Sequence, residues 1–259
     1  MHATLTMHNR RLPAGVDHIY VVTLPQRLHN VRAILGKQLR LREGVDFTIV
    51  HATPSASLNI HHMQRSKQLT RAFRSGRVAC HMSHLRAMRT FLASPHQTCM
   101  VMEDDVYLDG TPEEVVARAS EARRHADTQG WDMLYLGFCH EVKSPFWQRG
   151  CPVRRARFPL CRHAICYRRH AVERLLPELW PMRGHGDRML IQTAKRLRLR
   201  VLTVQRQLFR QNQREFETTL GNRSKKVEFR PPLSILIPAS LAACIILMFI
   251  LATVLDIRR

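Results

Sequence analysis

The sequence predicts an α/β fold, a mainly parallel sheet flanked by helices, followed by one C-terminal transmembrane helix. Three observations predict it. Short apolar runs rich in β-branched and aromatic residues alternate with stretches of helical periodicity between positions 17 and 210. Three consecutive carboxylates, Glu103-Asp104-Asp105, interrupt an apolar run in a chain that carries 41 Lys+Arg against 20 Asp+Glu. Residues 233–255 hold 23 positions without a charge.

The elements follow in order. Asp17 to Leu24 reads as a buried strand, stopped by Pro25. Leu28, Val31, Leu35 and Leu39 then recur at helical spacing, and Asp46 to His51 is a second strand. This β-α-β start has no Gly-rich phosphate fingerprint, so a dinucleotide site is not indicated. Thr53 to Ser75 is polar and basic and reads as a loop. Gly76 to Ala93 is a helix with Leu85, Met88 and Leu92 on one face and His81 and His84 on another. Pro95 separates it from the strand that ends in the carboxylates. Thr111-Pro112-Glu113-Glu114 starts a helix, with Thr at the N-cap, Pro at N1 and Glu at N3. Trp131 to Phe138 is a strand, 142–158 is irregular, and His163 to Tyr167 is a short apolar run. A helix from His170 ends before Pro181, and Gly184-His185-Gly186-Asp187 delivers a carboxylate to the start of another. Leu199 to Val204 closes the series as a strand.

The organisation that results is an N-terminal extension over 1–16, an α/β domain over 17–210 and a basic linker over 211–232. A spanning helix over 233–255 and a short tail over 256–259 complete it. At about 1.5 Å per residue the uncharged run crosses a hydrocarbon core of about 30 Å. Arg223, Lys225, Lys226 and Arg230 precede it and Arg258 and Arg259 follow, which favours a tail-anchored protein with its folded domain on the cytoplasmic side.

A formal charge of +21 and a pI near 11.1 call for polyanionic company: the phosphates of a nucleotide sugar, anionic lipid headgroups or nucleic acid. Nucleic acid is not expected as a partner, because no recognition motif and no aromatic-interleaved basic patch is present. The seven cysteines form no paired framework, which fits a reducing compartment, and no C-x₂-C spacing indicates zinc. In an extended backbone Glu103 and Asp105 face one side and Asp104 the other. Two hard oxygen donors directed at one point suit Mg²⁺ or Mn²⁺.

Four stretches resemble family-25 glycosyltransferases, the group of lipooligosaccharide and procollagen galactosyltransferases. They are Ile19 to Leu24 followed by Arg27, Gly76 to His84 with its Cys80-x-x-Ser83-His84, Val101 to Val106 with Glu103-Asp104-Asp105, and His163 to Tyr167 followed by Asp187. The family usually has Asn where Thr23 stands, Glu where Arg77 stands and Gly where Ala79 stands. The resemblance implies a GT-A-like fold and transfer of galactose or glucose from a nucleotide sugar, UDP-linked, to a saccharide or protein hydroxyl with inversion. For Mn²⁺ or Mg²⁺ the first choice of ligand is Asp105, with Glu103 as its same-side partner and Asp104 reaching the ribose or, if the backbone turns, the metal. The resemblance places Thr23, Arg27, Ser83 and His84 on the donor and gives Asp187 the role of general base. Asp132 is the alternative base. The alternative function is a catalytically inactive transferase-like protein that binds anionic membrane or other polyanions.

Overall fold

The computed structural model describes residues 12–141 and 151–212. Its centre is a seven-stranded sheet in the order β2-β1-β3-β7-β5-β8-β6. The strands are β1 (His18–Thr23), β2 (Phe47–His51), β3 (Thr98–Glu103), β5 (Met133–Gly137), β6 (Val153–Arg155), β7 (Ala164–Arg168) and β8 (Val201–Val204). Two short strands, β4 (Val106–Leu108) and β9 (Phe209–Gln211), pair with each other outside it. The inner strands are largely apolar because helices cover both faces, and β1, β5 and β8 are buried at every position.

The helices are α1 (Leu28–Val31), which continues as a wider π turn over Arg32–Gln38, and α2 (Ile60–Arg65), α3 (Ser75–Leu92), α4 (Pro112–Gln129), α5 (Arg169–Leu175) and α6 (Gly186–Arg196). The predicted start of α4 is present as a complete capping box. Thr111 Oγ1 accepts from the Glu114 N–H and Glu114 reaches back to the Thr111 N–H. The stretch read as a loop before α3 contains α2, whose first turn is capped by Asn59 accepting from the His62 N–H.

Three expectations are corrected. The sheet is mixed, not mainly parallel: β1/β2, β1/β3 and β5/β8 are parallel, whereas β3/β7, β5/β7 and β6/β8 are antiparallel. The cause lies at the end of β5. Cys139 N–H donates to Leu160 O and Leu160 N–H to His140 O, each at 2.9 Å, so the chain re-enters at the edge where β5 left it. From there β7 has to run backwards between β3 and β5.

The second correction concerns the membrane. Among the described residues no helix is long and apolar enough to cross a bilayer. The long helices α3 and α4 each bury one face and carry Arg on the other. The span expected over 233–255 lies outside the described residues. The transmembrane helix, the membrane as a partner and the tail-anchored cytoplasmic topology are therefore not retained.

The third concerns the cysteines. Cys139 and Cys161 form a disulfide with Cα atoms 5.5 Å apart, while Cys80, Cys99, Cys151 and Cys166 are free. The pairing removes the argument from unpaired thiols for a reducing compartment. With 22 positions between its ends, the bond is expected to contribute about 3 kcal/mol by restricting the unfolded chain. The Cys139→Ser, Cys161→Ser double variant should show that loss as a lower urea midpoint, with a steeper slope because the uncross-linked unfolded chain exposes more surface. An unshifted midpoint would show that the bond adds nothing to stability.

Candidate functional site

The parallel strands β1 and β3 end at one edge of the sheet, with the last residue of β5 and the entry to β7 beside them. Crevices outside the carboxyl ends of strands are where open α/β sheets bind ligands. Glu103 is the last residue of β3, and the chain turns at Asp104 and Asp105 before leaving as β4.

The three carboxylates do different things. Asp104 is buried and faces the β1–α1 connection: its Oδ2 accepts from the Leu24 N–H at 2.9 Å and its Oδ1 from Arg27 Nη1 at 3.2 Å. The Asn30 amide donates to the Asp104 carbonyl. Glu103 and Asp105 instead converge on the amide of Gln211 at the end of β9. Gln211 Nε2 donates to Glu103 Oε2 at 2.9 Å and sits 3.3 and 3.4 Å from the two Asp105 oxygens. The Asn212 N–H closes the turn on the Asp105 carbonyl at 2.6 Å. A groove of about 430 Å³, lined in part by Asn30, Val106 and Asn212, opens behind this turn.

Burial, reinforced by the charges of Glu103 and Asp104, pushes the Asp105 carboxyl up from 3.8 to about 7. Glu103 goes the other way. Burial opposes its charge, but the hydrogen bond from His84 Nε2 at 2.7 Å, with Arg162 nearby, holds it well below its usual range. Burial, then Arg162, lowers His84 in turn, so the imidazole is neutral and donates through Nε2.

Arg162, directly before the apolar run of β7, is fully buried and carries the compensating charge. It donates to His81 Nδ1 at 3.4 Å and lies 3.6 Å from Cys80 Sγ, and its charge acts on both Glu103 and Asp187. His81 is held neutral, pushed down to about 3 by burial and by Arg162, with its Nε2–H on the Leu179 carbonyl at 2.8 Å. The packing leaves no room at Gly186. A Cβ there would meet His81 Nδ1 at 2.7 Å and Arg162 Nη2 at 2.8 Å, so the start of α6 has to be glycine. The next residue, Asp187, is half-buried, with Oδ2 accepting from the Cys161 N–H at 3.3 Å and Oδ1 from the Arg188 N–H at 2.8 Å.

The remaining candidates divide. His84 reaches Glu103, and Arg27 reaches Asp104. Thr23 is buried and spends its hydroxyl on the Leu24 carbonyl at 3.0 Å. Ser83 accepts from the Thr53 N–H at 2.8 Å and donates to the Ala79 carbonyl, tying α3 to the chain after β2. Asp132 lies before β5, at the opposite end of that strand from the acidic turn, where it binds His170 and the Arg200 N–H, each at 2.6 Å.

Sequence reasoning missed Gln211, Arg162 and the Cys139–Cys161 pair. Gln211 fell in the stretch read as linker, where one amide among charges carries no pattern. The Cys139 sulfur lies 3.0 Å from Gln211 Oε1, and as a disulfide sulfur it has no proton to donate, so this is a packing contact that orients the amide toward the carboxylates. Two side-chain groups among the described residues come close enough to hold a metal ion: Cys80, His84 and Glu103, and Cys139, Cys161 and His163. The second has its two sulfurs bonded to each other. In the first, burial and then the charge of Glu103 push the Cys80 thiol up to about 11 in spite of the neighbouring Arg162, whereas a thiol ligand has to be deprotonated. The carboxylate side, Glu103 Oε2 with Asp105, offers hard oxygen and an excess of negative charge, a donor set whose chemistry fits a cation.

No curated protein matches the chain. Among solved structures it is similar to A197 from STIV, at 9% identity and a TM-score of 0.39 over 72% of this chain and 81% of that one. It is also similar to a putative nucleotide-diphospho-sugar transferase from Desulfovibrio desulfuricans G20, at 13% identity and a TM-score of 0.36 over 72% and 78%. Residues 16–147, just over half of the 259, match the profile described as glycosyltransferase family 25 (LPS biosynthesis protein). The chain belongs to glycosyltransferase family 25.

Proposed function

We propose that this chain is a metal-dependent hexosyltransferase that moves galactose or glucose from a UDP-sugar, with inversion, to a hydroxyl of a saccharide or protein. The observation that carries the reading is the convergence of Glu103 and Asp105 on one amide, where burial and the charges of Glu103 and Asp104 push the Asp105 carboxyl up to about 7. Asp105 and Glu103 Oε2 would hold the divalent ion. When bound, the ion neutralises the diphosphate that leaves the sugar. Asp104 serves by fixing the β1–α1 connection against the acidic turn. His84 and Arg162 keep Glu103 ionised, so a ligand oxygen is ready without loss of a proton. Asp187, supported by the Cys161 and Arg188 N–H groups, takes the proton from the acceptor hydroxyl as that oxygen attacks the anomeric carbon.

The test is a panel of nucleotide sugars offered to the full chain with Mn²⁺ and with chelator, scoring release of nucleoside diphosphate. UDP-hexoses should be turned over with Mn²⁺ only. Turnover that survives chelation removes the metal from the reading, and no release from any donor removes the transferase.

A further inference from the structure

Around Asp187, at the adjoining first turns of α3 and α6, the structure gathers more positive charge than that one carboxylate matches. Arg77 Nη1 lies 2.8 Å from His185 Nε2. A guanidinium can only donate, so the imidazole accepts and is unprotonated at that nitrogen. Arg71 is held over the ring of buried Phe73, 5.0 Å from its centroid. Burial, then Arg77, lowers the His185 pKa; Asp187 opposes the fall and Arg188 and Arg71 add to it, so three guanidinium charges and one carboxylate reach one half-buried ring. Several arginines elsewhere pair with acids: Arg27 with Asp104, Arg123 and Arg168 with Asp127, Arg206 and Arg210 with Asp109. Among the described residues no carboxylate lies within ion-pair distance of Arg71, Arg77 or Arg188.

Isolated arginines on the surface of so basic a chain would need no account. Convergence is different, because like charges brought together repel, and a half-buried Arg77 resting on a neutral ring gains little to offset that. A planar guanidinium fork matches the oxygens of a phosphate or carboxylate. We propose that Arg71, Arg77 and Arg188, converging on His185 beside Asp187, form a subsite for an anionic group, phosphate or carboxylate, carried by the acceptor. The assignment to the acceptor rests on the function proposed above, in which Asp187 meets the acceptor hydroxyl and the donor diphosphate belongs with the ion at Asp105. The enzyme would then glycosylate an acidic or phosphorylated sugar in preference to a neutral one.

Two measurements on the full chain test this. The first is equilibrium binding of glucose 6-phosphate, glucuronate and glucose at fixed ionic strength, for the native protein and for Arg77→Gln, Arg188→Gln and the double variant. The charged sugars should bind and glucose should not. Each substitution should weaken binding about tenfold, the effect of losing roughly 1.4 kcal/mol of charge-assisted hydrogen bonding. Arg188 is exposed, so its variant keeps the test valid if Arg77→Gln folds poorly. The ratio of the two charged sugars tells phosphate from carboxylate. The second is the kcat/KM for anionic over neutral acceptors, which should fall in the same variants while the donor KM stays put. Binding that ignores the substitutions, or a rise confined to the donor KM, overturns the subsite. Binding lost in the variants of a protein that turns over no donor would overturn the transferase reading and leave the subsite standing.

Discussion

Asp105→Asn is expected to abolish sugar transfer and, at the same time, to make the metal-free protein more stable. The lost activity should be on the order of 10³-fold or more, since a bound ion at a departing diphosphate supplies several kcal/mol of charge stabilisation. The gained stability follows from linkage. The Asp105 carboxyl is raised in the folded chain from 3.8 to about 7, by burial first and then by Glu103 and Asp104. A raised acid pKa means that the folded state holds the proton more tightly than the unfolded one. The penalty for ionisation is thus complete above about pH 7 and fades as pH falls toward 4, and its upper bound is about 4 kcal/mol. Asparagine keeps the shape and removes the charge. Melting with chelator at pH 8 should therefore place the variant above the native protein, and the gap should close by pH 4. Added Mn²⁺ should raise the native melting temperature and leave the variant where it was. A variant that is active, or that melts lower at pH 8 with chelator, would sink the assignment of Asp105 as the cation ligand.

Asp187→Ala should cut transfer to an acceptor by about 10²- to 10⁴-fold, the usual cost of a lost general base. Donor affinity and slow donor hydrolysis in water should change little, because Asp187 sits at the start of α6 and its backbone partners come from Cys161 and Arg188. The pattern to look for is a fall in kcat with the donor KM unmoved. If donor affinity collapses and residual transfer persists, Asp187 belongs to the donor side and the base has to be sought elsewhere. Asp132 would not be the next choice, because His170 and the Arg200 N–H already engage both of its oxygens at the far end of β5.

Much of the site could be read along the chain because its signals are local. The acidic turn announces itself as charge cut into an apolar run. Thr111 and Glu114 announce a helix start because the two hydrogen bonds of a capping box close over three residues. His84 and Cys80 lie four positions apart on α3, one turn of one helix face. What failed was whatever depends on partners far away in sequence. Gln211 meets Glu103 across 108 positions, and no local pattern in a polar stretch marks one glutamine for that task. Arg162 reaches His81 across 81 positions, and an arginine in so basic a chain looks like any other until burial singles it out.

Local sequence signals locate most of the strands and helices, though not α2 or β6, and they mark the acidic turn after β3 and the family-25 type of the chain. Apolar periodicity and capping chemistry encode burial and local backbone geometry, and those survive in one dimension. Contacts between distant segments alone set the direction of β7, the Cys139–Cys161 bond, the convergence of Glu103 and Asp105 on Gln211 and the burial of Arg162 near Glu103 and Asp187. A strand reads the same whichever way it runs. A side chain's role is fixed by what stands opposite it in space, and that is settled when the sheet closes.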